Sequence, residues 1–147
     1  MSALTQYWGV EIPAEERASL ARTAAEERGL SGRDLRTTLE GLGFDVYLFR
    51  GGLDRGPTGV FTAIDAGRPL LVMISPDGKT HHYCLVLGYD APRYTLILLD
   101  PRRGETLVPV DVFDREWARC ERFTLLACPR PAGESGQLAD ARVPAKP

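Results

Sequence analysis

The sequence predicts an α+β domain in which N-terminal helices pack on a twisted antiparallel sheet. Three observations carry this. Helix signals, with their start and stop residues, are concentrated before residue 43. From Phe44 onward, short apolar runs of strand length are separated by turn residues. Two of these runs, 83–89 and 94–99, flank Asp90-Ala91-Pro92-Arg93, the signature of a β-hairpin with both strands largely buried. At 147 residues the chain is long enough for one domain with a real core.

Composition narrows the function. A net charge of −2 gives no electrostatic footprint for nucleic acid. No apolar run approaches the roughly 20 residues of a membrane helix, and no signal peptide follows Met1. The three cysteines show no CxxC spacing. Cys120 and Cys128 flank one short apolar run, so they sit at opposite ends of one strand and cannot bridge. All three read as reduced thiols.

In chain order, residues 1–8 read as the last turns of a helix that Gly9 ends at the position after the cap. Residues 13–28 read as an amphipathic helix, with Pro13 at the first helical position and Glu15 and Glu16 at the positive end of the dipole. Its charges read as a solvated face. Ser31 and Asp34 form a capping box for a second helix with Leu35, Leu39 and Leu42 on its buried side. Residues 44–50 alternate as a first strand. Residues 51–56 are loop, and 57–66 a short helix with Val60, Phe61 and Ile64 inward. Residues 69–75 are a continuous apolar strand, and Pro76-Asp77-Gly78-Lys79 is turn chemistry. After the hairpin, 106–110 are expected as a strand, 111–118 as a helix with Val112, Phe113 and Trp117 inward, and 123–128 as the last strand. From Pro129 the composition turns to Pro, Ala, Gly and Ser, a disordered tail or linker.

The residues with chemical potential gather at the hairpin. On a strand, His82, Cys84, Val86 and Gly88 share one face, and His81, Tyr83, Leu85, Leu87 and Tyr89 the other. Asp100 closes the second strand, just before Pro101. The start of one hairpin strand lies beside the end of the next, which makes His82 and Asp100 neighbours in space. An imidazole held by a carboxylate is the base half of a nucleophilic triad. The plain alternative is an inert histidine at a strand end and an aspartate that only shapes a turn. Cys84 shares the face of His82, but Cβ atoms two apart on a strand lie about 6.5–7 Å apart, long for a thiol–imidazole hydrogen bond. It reads as a small core residue. His81 and His82 point to opposite faces with no third ligand evident, so no metal is expected, and no other cofactor.

The stretches HHYCLVLGYD and YTLILLDPRRGETLVPVDVFDREW resemble the bacterial double-glycine (bacteriocin-processing-type) peptidases, a branch of the papain-like cysteine peptidases. In that family an H-Y strand running into V-G-Y-D carries the catalytic histidine, matched here by His82, and a strand ending in D-P supplies the orienting aspartate, matched by Asp100. YWGVEIP, SGRDLRTTLEGLGFDVYLFR, AGRPLLVMI and VFDREWARCERFTLLACP resemble further family segments, so the likeness runs from about Ser2 to Pro129. It implies a papain-like fold, peptide-bond hydrolysis by a Cys-His-Asp triad, and a peptide or protein substrate. It also implies a nucleophilic cysteine opening the first helix, about three turns before Tyr7-Trp8-Gly9, and a glutamine further upstream for the oxyanion hole. Neither has a counterpart here.

On this resemblance, residues 1–129 are expected to be a peptidase domain lacking its N-terminal segment, followed by a tail over 130–147. Three readings follow. One is a cysteine peptidase whose nucleophile-bearing segment is absent from these residues. Another is a degenerate relative that binds peptide without cutting it. The last is an assembly domain whose exposed N-terminal helix associates with itself or with another chain.

Overall fold

A computed structural model describes residues 1–27 and 29–131. The tail expected from residue 130 therefore lies outside the described residues, apart from its first two positions. Among the described residues, five helices and six strands follow one another as α1 (Ser2–Tyr7), α2 (Ala14–Glu26), α3 (Gly32–Gly41), β1 (Phe44–Arg50), α4 (Val60–Asp65), β2 (Leu70–Ile74), β3 (His82–Asp90), β4 (Thr95–Asp100), β5 (Gly104–Pro109), α5 (Val110–Ala118) and β6 (Phe123–Pro129).

The strands form one sheet in the order β1-β6-β2-β3-β4-β5, with every neighbouring pair antiparallel. The N-terminal helices pack on this sheet as expected. Leu4 of α1 and Leu35 and Leu39 of α3 are buried against Phe44, Val46, Leu71, Leu85, Leu125 and Ala127. The opposite face is covered by α4 and α5, whose Val60, Val110, Phe113 and Trp117 meet Val72, Ile74, Cys84, Val86, Leu98 and their neighbours. The sheet is therefore sandwiched, and the period-2 alternation of its strands divides two cores rather than a core and solvent.

Local chemistry explains most element ends. Gly9, at φ 69°, ends α1: its N–H donates to the Gln6 carbonyl, and the Val10 N–H to that of Thr5, a Schellman closure. Ser31 and Asp34 cap α3 reciprocally. Four details differ from expectation. Pro13 is the N-cap of α2 rather than its first residue, and α2 has no fully buried residue, so its amphipathic character is shallow. Helix α4 starts at Val60, not residue 57, because Gly52 N–H bonds the Thr58 carbonyl and Val60 N–H the Gly52 carbonyl, which holds 57–59 in the loop. Val110 leaves the strand and enters α5, where it is buried.

A fifth difference bears on function. Strand β3 carries a bulge between Val86 and Gly88 in its pairing with β4. Before it, Cys84 and Val86 face the α4–α5 side and Leu85 the α1–α3 side. Beyond it, Tyr89 packs on the α4–α5 side, edge-on to Phe61 at 4.9 Å. Tyr89 therefore does not share the face of Leu85, as strict alternation requires.

Candidate active site

The site lies where β3 begins and β4 ends. His82 Nε2 is 3.4 Å from Asp100 Oδ2, with 19% and 10% of the two side chains exposed. The structure thus brings together the two residues that the hairpin pattern places side by side.

Each member is fixed by its neighbours. His82 pairs with Ile74 across β2, and the turn before it is tied by Asp77, whose carboxylate accepts from Lys79 N–H (2.8 Å), Thr80 N–H (2.7 Å) and the Thr80 hydroxyl (2.9 Å). Those bonds hold the Asp77 carboxyl down at about 2. Asp100 Oδ1 accepts from Arg102 N–H at 2.8 Å, inside the turn that follows Pro101. One carboxylate oxygen is thus committed to the turn and the other faces the imidazole. A carboxylate oxygen accepts, so a hydrogen bond across this contact takes its hydrogen from Nε2 and leaves the lone pair on Nδ1.

The bulge is what aims Asp100. Beyond it the register pairs Asp90 with Thr95 and Gly88 with Ile97; before it, Val86 with Leu98 and Leu85 with Leu99. Carried one step further, the second register sets Asp100 opposite Cys84, with His82 on the diagonal. Without the bulge the first register would continue, and Asp100 would stand opposite Leu85, on the α1–α3 face. The signal in the sequence was Gly88, an isolated glycine inside a strand pattern.

Cys84 is buried in the core, as expected, and it also stands beside the pair. Its Sγ, a His82 ring nitrogen and an Asp100 carboxylate oxygen all lie within 4.8 Å of one another. The side chains lean together, so their ends approach more closely than the Cβ spacing suggests. Proximity does not activate the thiol. Cys84 is 1% exposed, and burial, with the Asp100 and Glu116 carboxylates against the weaker help of Arg103, pushes it up to about 12. Burial also raises Cys120 and Cys128. All three cysteines are free and protonated at neutral pH. His81 is exposed and takes no part in the cluster.

Comparison with known proteins bears on the family and the fold. The model of the peptidase C39 family matches residues 1–130. The lactococcin-G-processing and transport ATP-binding protein LagD of Lactococcus lactis subsp. lactis is 25% identical over 134 residues, which are 91% of this chain. The match spans only 17% of that relative's length. Among solved structures, the peptidase domain of Streptococcus ComA, a bifunctional ABC transporter of a quorum-sensing pathway, superposes with a TM-score of 0.67 at 19% identity, covering 88% of this chain and 87% of that one. A C39-like peptidase from Bacillus anthracis superposes at 0.54 with 14% identity, covering 69% of this chain and 60% of that one. The fold is the papain-like α+β fold of these peptidase domains.

Proposed function

Because the chain belongs to the peptidase C39 family, we propose that it provides the histidine and aspartate of a cysteine peptidase site that hydrolyses peptide bonds. The 3.4 Å contact between His82 and Asp100, at the adjoining ends of two strands, carries this reading. His82 acts as general base through Nδ1, taking the proton of an attacking thiol, and returns it to the leaving amine of the peptide. Asp100 is the positioning residue: it fixes the tautomer and stabilises the imidazolium formed during transfer. The attacking thiol is one other than Cys84, Cys120 and Cys128, since a buried, protonated sulfur is a poor nucleophile. The substrate class is a peptide, by the likeness to a bacteriocin-processing relative, cleaved after a double glycine as in the family that the hairpin motif resembles.

The test is hydrolysis of a double-glycine peptide by the full-length product of the gene, followed by mass spectrometry. Cleavage after the glycines, lost in His82→Ala, is expected. Intact peptide in the presence of saturating protein would overturn the reading. The inert state of all three thiols favours one alternative, a domain that holds such a peptide without cutting it. Binding by calorimetry with no cleavage by the full-length product selects that alternative.

A further inference from the structure

We propose that His82, Cys84 and Asp100 form a binding site for a borderline divalent cation of the Zn²⁺ class. Two adjacent histidines cannot converge on a cation from one strand, and His81 is indeed exposed and outside the cluster. The hairpin supplies the missing ligands instead. Residues two apart on β3 give nitrogen and sulfur on one face, and the neighbouring strand adds oxygen.

The geometry suits a tetrahedral centre. The three ligand atoms lie within 4.8 Å of one another. Around Zn²⁺, bond lengths of about 2.0–2.3 Å place tetrahedral ligand atoms roughly 3.3–3.7 Å apart. Closing the cluster thus takes at most about 1.5 Å per pair, within reach of side-chain rotation. The donor set also selects the ion. A sulfur and an imidazole nitrogen favour Zn²⁺ over Mg²⁺ or Ca²⁺, which want oxygen. Binding displaces the Cys84 proton to solvent, and the resulting thiolate and the carboxylate together balance two positive charges. The support is rigid, because both strands lie inside the sheet and Asp100 Oδ1 is held by Arg102 N–H at 2.8 Å. Cys84 and Asp100 are buried, while His82 keeps 19% of its side chain exposed, so the fourth position opens on the imidazole side.

The cation site stands on these three side chains alone. Its consequence rests on the peptidase reading: an imidazole bound to the cation cannot also serve as base, so occupancy and proteolysis exclude each other.

The experiment titrates the untagged, metal-free chain with Zn²⁺ against a chromophoric chelator, and with Co²⁺ by absorption spectroscopy. One equivalent bound in the micromolar range or tighter is expected, with a thiolate-to-cobalt charge-transfer band. Cys84→Ser should abolish the band and weaken Zn²⁺ binding at least tenfold, and His82→Gln and Asp100→Asn should each weaken it at least tenfold. Cys120→Ser and Cys128→Ser should leave both unchanged. Wild-type protein that binds no stoichiometric Zn²⁺ overturns the proposal without recourse to any variant, and a cobalt band that survives in Cys84→Ser with its wild-type circular dichroism also overturns it. A peptidase assay that fails while this titration succeeds counts against the proposed function alone.

Discussion

Replacing Asp100 by alanine and by asparagine separates its two tasks. Its Oδ1 accepts from Arg102 N–H at 2.8 Å and its Oδ2 faces His82 Nε2 at 3.4 Å. Alanine removes both. A hydrogen bond to a charged group is worth about 1.5–3 kcal/mol, and the largely covered imidazole contact adds about 1 kcal/mol. The sum is about 2.5–4 kcal/mol, or roughly 8–12 °C of melting temperature at about 3 °C per kcal/mol for a chain of this length. Asparagine keeps an oxygen for Arg102 N–H and should lose only about 1 kcal/mol. Its amide N–H₂, however, faces His82. A donor there requires Nε2 to accept, which moves the ring hydrogen to Nδ1 and removes the lone pair that base catalysis needs. The assays are thermal unfolding by circular dichroism and ¹⁵N NMR of the His82 ring with the imidazole neutral. Asparagine melting as low as alanine, or a ring tautomer identical in wild type and Asp100→Asn, would refute the reasoning.

Three further outcomes are expected. The 147-residue chain should leave Cys84 unlabelled by an epoxide thiol inhibitor at neutral pH, since its thiol is pushed up to about 12; labelling at Cys84 that disappears in His82→Ala would show an activated pair. The same raised thiol makes the fold weaken in alkali. An unfolded Cys84 releases its proton near the ordinary 9.0 and the folded one only near 12. Between those values the unfolded state binds fewer protons, so stability is full below the window and falls as pH rises through it, by up to about 1.4 kcal/mol per pH unit. Urea titrations across that range should show a shallower fall in Cys84→Ala. Finally, two glycines should respond with opposite sign. A Cβ on Gly59 would overlap the Asp54 carbonyl oxygen, whereas one on Gly41, in α3, meets nothing within 4 Å. Gly59→Ala should destabilise the protein, and Gly41→Ala should stabilise it by about 0.5–1 kcal/mol; equal melting temperatures for the two would contradict this.

The elements that were legible in the sequence are those whose signals are local. The Ser31–Asp34 capping box, the Asp77 turn and the uniform alternation of 44–50 each depend on residues within a few positions. The meeting of His82 with Asp100 was legible because any tight hairpin adjoins those strand ends. What escaped was longer in range or finer in geometry. The loop before α4 closes through bonds from Gly52 to Thr58 and Val60, which composition does not announce. The face on which Asp100 stands depends on one extra residue near Gly88. The closeness of Cys84 depends on how three side chains lean, and Cβ spacing along a strand does not encode that.

The position of β6 between β1 and β2 constrains the order in which the chain can be assembled. During synthesis, the first two strands emerge long before the segment that joins them, and neither can reach the other's hydrogen bonds directly. Only when residues 123–129 leave the ribosome does the gap close, with Leu125 and Leu126 bonding partners on both sides. Until then the nascent sheet shows two open edges. A premature stop anywhere before Phe123 should therefore yield an aggregating fragment rather than a smaller working domain.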